Sequence, residues 1–113
     1  MEESILTSIK LLLDIEKDDK NFDGPIIMHI NTVLMALTQM GVGPSEGFEI
    51  EDDTSTWQDF VGESKKFSGI KTYIFMKVKL AFDSASMPGP LIEAYNRQIA
   101  ELEFRLNHAA EFE

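Results

Sequence analysis

Residues 23–40, DGPIIMHINTVLMALTQM, carry the clearest helical pattern of the chain. At 100° per residue, seven apolar side chains share one face: Ile26, Ile27, Ile30, Val33, Leu34, Leu37 and Met40. Asp23 suits the N-terminal cap, and the glycine-rich exit that starts at Gly41 ends the pattern. Met28 and Met35 project from the opposite, polar side. The stretch therefore predicts an amphipathic helix with two methionines outside its core face.

Apolar spacing on both sides of this stretch predicts four more helices. They are expected at about residues 4–13, around Trp57 to Val61, at about 64–82 and at about 90–110. The helix at 64–82 is apolar on two faces, one formed by Phe67, Ile70, Ile74, Val78 and Ala81 and the other by Tyr73, Met76 and Leu80. Such a helix belongs in the middle of a fold. We expect residues 1–113 to form one all-α bundle of four to five helices.

The last predicted helix has a packing seam and a charged outer side. Its apolar residues follow steps of three and four: Ile92, Tyr95, Ile99, Leu102, Leu106 and Ala109. Opposite charges repeat every four residues on the outer side, at Glu93, Arg97, Glu101 and Arg105. Phe104 is an apolar exception among these charges. The pattern predicts a helix that lies on another element and keeps a hydrated outer face.

The composition narrows the class of protein. The net charge is −10, with 20 acidic and 10 basic residues, which argues against free-standing binding to nucleic acid or to an anionic membrane. The chain has no cysteine, so disulfides and thiolate metal sites are excluded. The acidic start is unlike a signal peptide, and we expect a protein made in a cytoplasm. We expect no cofactor and no bound metal.

The segment 41–56 is predicted to be a long acidic loop. Phe48 and Ile50 alternate with acids there, so a short strand or hairpin is one interpretation. The acids Glu46, Glu49, Glu51, Asp52, Asp53 and Asp59 could gather a divalent cation weakly, but a hydrated loop explains them more simply. The segment is therefore predicted to be a hydrated acidic loop rather than a metal site.

One catalytic pattern occurs, at residues 43–47, where GPSEG fits G-x-S-x-G. A nucleophile elbow needs a strand before Ser45 and a helix after it, within a large α/β sheet. Here a helix precedes the serine and a loop follows it, which favours a plain turn. The sequence indicates no catalytic partner for His29 or His108. The sequence thus predicts that the chain is not an enzyme.

Several side chains are candidates for contact with another protein. Met28, Met35 and Phe104 are apolar residues on polar faces, and either isolated exposure or an interface explains them. Lys71 projects to the apolar side of its helix and could snorkel, pair with an acid of its own chain or form a salt bridge between subunits. The remaining interface candidates are Phe48, Glu51, Asp52, Asp53, Arg97, Glu101 and Arg105.

Four segments together resemble the head–tail connector proteins of tailed bacteriophages and prophages, also called head-completion or adaptor proteins. They are IIMHINTVLMALTQMGVGP, TWQDFVG, KTYIFMKVKLAFD and LIEAYNRQIAELEFRLN. The resemblance covers nearly the whole chain in order, and its specificity lies in the succession of the segments because none of them carries chemistry.

The resemblance implies a small helical protein without catalysis or cofactor. It implies a homo-oligomeric ring, expected to be dodecameric when assembled, that joins head to tail under the portal protein. The other partner would be a stopper or tail-completion protein. DNA would pass through the ring without being bound specifically, and no membrane would be involved. The protein is expected in the bacterial host cytoplasm during assembly and at the head–tail junction of the virion. The competing interpretation is a helical regulatory or adaptor module that binds proteins, similar to an antitoxin or anti-repressor.

Overall fold

The computed structural model describes residues 3–62 and 69–111. Its helices are α1 (Ile5–Leu12), α2 (Asp23–Gln39), α3 (Trp57–Val61), α4 (Ile70–Asp83) and α5 (Gly89–Glu111). A single 3₁₀ turn at Ser84–Ser86 joins α4 to α5. The described residues contain no strand, so the prediction of an all-α fold is confirmed. Over the same residues, no helix is both long and apolar enough to cross a bilayer.

Helix α4 lies at the centre and packs against α1, α2 and α5. Its first apolar face is buried at Ile70, Ile74 and Val78, and its second face at Tyr73 and Met76. The prediction of a helix with two packed faces is therefore confirmed. Ala81, which was expected on the first face, is exposed near the C-terminal end of the helix.

The core is one continuous apolar cluster. Its fully enclosed side chains include Ile5, Leu6, Ile9, Ile26, Ile30, Leu34, Leu37, Ile50, Tyr73, Ile74 and Leu106. All seven predicted core positions of α2 are buried or packed against the cluster, as the helical projection requires. Helix α5 contributes Ile99 and Leu106 fully and its other seam residues in part, so it lies on the surface of α4.

The start of α4 differs from the sequence prediction. The predicted helix begins at Ser64, and residues 63–68, including Phe67, lie outside the described part of the chain. Among the described residues, the helix begins at Ile70, after Gly69 with φ +101°. A right-handed helix cannot continue through a residue in that conformation, which glycine tolerates because it lacks Cβ. The prediction of one unbroken helix from Ser64 to Phe82 is therefore wrong.

A buried lysine organises the turn between α1 and α2. The side chain of Lys10 is 2% exposed, and its Nζ lies 2.7 Å from Asp23 Oδ1 at the start of α2. The same Nζ donates to the carbonyl oxygens of Lys17 at 3.1 Å and Asp19 at 2.7 Å. Three oxygen partners compensate the lost hydration of the ammonium group, which is what a buried charge requires. The charged turn at 14–21 is thus held against the beginning of α2.

Helix α3 is fixed at its N-terminus by a capping box, in which Thr56 and Asp59 each bind the other's backbone N–H. Thr56 also forms an isolated bridge with Ser4, and the indole N–H of Trp57 donates to the Ser8 hydroxyl at 3.0 Å. The end of the long loop is thereby attached to the N-terminal segment and α1.

Candidate interaction surface

The outward side of α2 carries no charged side chain. Met28, Thr32, Met35 and Gln39 follow one another at helical spacing, and we call them the α2 stripe. Met28 is 61% exposed and Met35 is 59% exposed. After Asp23, the helix contains no Asp, Glu, Lys or Arg. The α2 stripe is a strip of neutral and apolar surface on an otherwise strongly acidic protein.

The α2 stripe forms one wall of an open groove of about 930 Å³, and the loop at 46–49 forms the other. Phe48 contributes an apolar patch to that wall, and its ring packs on Phe60 with 5.2 Å between the centroids. Glu46 and Glu49 are exposed and line the same groove. Among the described residues, no lysine or arginine lines it. The α2–loop groove therefore combines apolar and neutral polar side chains with two carboxylates.

Two reciprocal hydrogen bonds between Asn31 and Ile50 hold the loop beside α2. The Asn31 side-chain amide donates to the Ile50 carbonyl at 2.9 Å, and the Ile50 N–H donates to Asn31 Oδ1 at 2.8 Å. The amide side chain thus takes both bonds that a neighbouring strand would otherwise make, and no hairpin is formed within 41–56. Ile50 is buried in the core. Sequence reasoning missed Asn31, although its place between Ile27 and Leu34 on the helix was a usable signal.

The acids that follow Ile50 point into solvent. Glu51, Asp52 and Asp53 are all exposed. The Thr54 hydroxyl and backbone N–H donate to Asp52 at 2.6 and 2.9 Å, and these bonds hold the pKa of Asp52 below its ordinary value. Asp53 lies 4.0 Å from Lys20. Among the described residues, no group of histidines and acids is arranged to hold a metal ion. The segment is a persistent patch of negative charge.

The outer side of α5 exposes Phe104, which at 73% is the most exposed large apolar side chain of the described residues. It lies in a shallow depression with Gln39 and Tyr73, and its ring stacks on His108 with 6.3 Å between the centroids. Of the predicted charge ladder, the pair Glu101–Arg105 is formed, at 2.7 Å. Gln39 also lines the α2–loop groove, so the two surfaces adjoin.

Lys71 lies apart from these surfaces. Its Nζ pairs with Glu3 and stands 5.9 Å from the centroid of the Trp57 ring. Both partners belong to the same chain, which is one of the alternatives that the sequence left open. The ion pair attaches the N-terminal segment to α4, and the cation–π contact attaches α3 to α4.

The serine of the G-x-S-x-G pattern lies in a turn. The Gly47 N–H donates to the Pro44 carbonyl at 3.0 Å, and Ser45 between them is exposed. Gly43 has φ +85°, and a Cβ atom there would collide with the ring of Phe60. The first glycine of the pattern is thus explained by packing, and the segment lacks the strand and helix that surround a catalytic serine.

Comparison with known proteins gives a match to a family. The family described as phage connector protein matches residues 5–113, which is nearly the whole chain. Searches of curated proteins and of solved structures found no match. The segments that carry the sequence resemblance all lie inside the matched range, and the helical fold described above is the context in which they occur. The chain therefore belongs to the phage connector protein family.

Proposed function

We propose that the chain is a head–tail connector subunit that assembles as a homo-oligomeric ring under the portal of a tailed phage. The family match over residues 5–113 is the observation that carries this proposal. A connector needs one surface for the portal protein, one for a stopper or tail-completion protein and two for its neighbours in the ring. A twelve-subunit ring that extends the channel for DNA is the assembly that we propose.

The exposed side chains suit a protein that acts through contacts. The α2 stripe and Phe104 leave large apolar groups in water, and neither is needed to complete the core. Ring formation is heterologous, because one side of each subunit meets a different side of the next. The chain offers two apolar surfaces for such contacts, one on α2 and one on α5, and they adjoin at Gln39.

The negative charge suits the passage of DNA. Glu51, Asp52 and Asp53 are exposed on a loop that Asn31 attaches to the core, and the net charge of the chain is −10. We assign these three acids to the channel wall. Like charges repel, so such a wall would let the phosphate backbone slide without sticking. The lowered pKa of Asp52 keeps its carboxylate charged at pH values below those at which an ordinary aspartate takes up a proton.

Membership of a structural family supports a role without catalysis. The turn around Ser45 agrees with that role, and Ser45→Ala should leave phage assembly unchanged. Normal particles with lost infectivity in this variant would contradict the non-catalytic function and reopen a role for the serine.

The direct test is to mix the protein with the portal protein encoded by the same phage and to image the complex by electron microscopy. We expect a ring of additional density below the portal. The portal alone is the control for that density. A portal that gains no density at saturating protein concentration would contradict the proposed function, and so would a gene neighbourhood without portal, capsid and tail genes.

A further inference from the structure

The α2–loop groove has requirements that identify the chemistry of its occupant. Its lining includes the apolar side chains of Met28, Met35 and Phe48 and the carboxylates of Glu46 and Glu49. An occupant that suits both must bring an apolar side chain and a positive charge. A purely apolar or acidic segment would leave two carboxylates partly dehydrated and unpaired, which is unfavourable.

The outer side of α5 presents this combination. Phe104 is the apolar group, and Arg97 lies seven residues before it, within roughly 20° on the helical projection. Arg97 is exposed and makes no ion pair with any described residue, whereas Arg105 is paired with Glu101. Together they form a surface that we call the α5 knob, defined by Arg97 and Phe104.

The other exposed apolar groups fit less well. Leu11 and Leu12 lie on α1, whose one basic residue, Lys10, is buried and paired with Asp23. Phe22 and Leu91 are 43% and 40% exposed, against 73% for Phe104. Phe104 is therefore the most exposed of these apolar groups, and its helix also carries Arg97, which is unpaired among the described residues.

We infer that the α5 knob of one subunit docks into the α2–loop groove of the next subunit. Phe104 inserts between Met35 and Phe48, and Arg97 approaches Glu49. Used once between each pair of subunits, the contact is heterologous and repeats into a ring or an open helix. The knob and the groove adjoin at Gln39, so reciprocal use between two subunits would close a dimer, and a dimer on the portal protein in place of a ring would contradict the inference. The inference rests on the proposed ring, because it assigns the contact between neighbours that such a ring requires.

The absence of cysteine allows a cross-linking test. The cysteines are placed beside the contact so that the contacting side chains stay unchanged: one population would carry Thr32→Cys in the groove and the other Ala100→Cys on α5, both at exposed positions. They would be mixed on the portal protein of the same phage. Flanking positions can lie farther apart than the roughly 7 Å between Cα atoms that a disulfide spans, so a short bismaleimide is the reagent. We expect a cross-linked dimer in the mixture and none with either variant alone. Leu11→Cys mixed with Ala100→Cys is the control and should give no dimer, because Leu11 is exposed but outside the groove.

Charge reversal tests the ionic part of the contact. Glu49→Lys in the Thr32→Cys population should abolish the cross-linked dimer, and Arg97→Glu in the Ala100→Cys population should restore it. Restoration by the second change shows that both variants are folded. A loss that the second change does not reverse would contradict the pairing of Glu49 with Arg97.

Electron microscopy of the same mixtures separates this inference from the proposed function. Ring density without cross-linking between the two positions would overturn the inference and leave the connector function standing. Cross-linking of either variant to the portal protein instead of to its neighbour would also overturn the inference. Absence of ring density would contradict the proposed function itself.

Discussion

Helices α2 and α5 both expose one face to water, but the two faces have different chemistry. The outer side of α5 carries charged residues along its length, with the Glu101–Arg105 pair formed at 2.7 Å. The outer side of α2 carries none, and the one charged residue of that helix, Asp23, is turned inward to Lys10. On α2, charge stabilises the fold, and its absence outside leaves a neutral and apolar stripe in water. On α5, charge keeps the helix hydrated around a single exposed phenylalanine.

The largest effect should come from the inward charge of α2. Lys10→Ala leaves Asp23 and two backbone carbonyls without their buried partner, and loss of one member of a buried ion pair costs about 3–5 kcal/mol of unfolding free energy. Urea denaturation followed by circular dichroism measures this loss of unfolding free energy. Lys20→Ala is the matched control: its ammonium group is exposed and 4.0 Å from Asp53, so we expect a change of about 0–1 kcal/mol. Equal losses in both variants would contradict the role of the buried pair.

The second comparison lies within α5. Leu106 is buried, and Leu106→Ala should lower the unfolding free energy by about 2–5 kcal/mol because it leaves a cavity against α4. Phe104, two residues earlier, is exposed, and Phe104→Ala should change the free energy by less than about 0.5 kcal/mol. Thermal denaturation of both variants measures the difference. A Phe104→Ala loss as large as that of Leu106→Ala would place Phe104 in the core and remove the α5 knob.

The α2 stripe should matter for assembly but not for folding. Met28→Asp loses the transfer free energy of one apolar side chain at the interface, about 1.5–3 kcal/mol, which is roughly a 10- to 150-fold weaker association. Phe104→Asp should block head–tail joining in the same way. Sedimentation with the portal protein measures the binding, and the denaturation midpoint shows whether the fold is intact.

Leu11→Asp is the control for this surface, because Leu11 and Met28 are equally exposed, at 61%. We expect Leu11→Asp to bind like the unmodified chain. Equal weakening by both substitutions would indicate that any added charge disturbs assembly, and the α2 stripe would lose its special role.

The smallest effect concerns the attachment of α5 to α4 and appears only at high pH. Burial, and then the hydrogen bond to Glu103 at 2.8 Å, raises the pKa of Tyr73 above its ordinary value. A raised pKa in the folded state means that the stabilisation is present below the unfolded pKa of about 10 and is lost as pH rises above it. The unfolding free energy should fall by up to about 1.4 kcal/mol per pH unit in that range. In Tyr73→Phe the unfolding free energy should fall less steeply with pH in this range. An unchanged pH dependence would contradict the assignment of the effect to the Tyr73 hydroxyl.

Much of the surface was predictable from helical periodicity. Projection at 100° per residue separates Met28 and Met35 from the core face of α2, and the same geometry leaves Phe104 among charges on α5. Both positions follow from local backbone geometry, which needs no knowledge of tertiary neighbours. The exposure of these three side chains is therefore a prediction that the structure confirms.

Other features depended on residues that are distant in the chain. Lys10 falls between Leu6 and Leu13 on the apolar face of α1, but only the turn at 17–19 and Asp23 supply the oxygens that make its burial tolerable. The partner of Lys71 is likewise 68 residues away, at Glu3. Periodicity cannot reveal such partners, because it contains no information on which loop returns to which helix.

The sequence by itself determined the helical class, the apolar face of each helix, the excess of acid and the succession of segments that resembles connector proteins. These properties reside in single residues or in spacings of three and four, so chain order is enough to read them. Only the tertiary structure decided that Asn31 holds the acidic loop beside the α2 stripe and that the pair forms a groove. A groove has two walls, and its existence depends on the distance between α2 and the loop, which the Asn31–Ile50 hydrogen bonds and the burial of Ile50 set.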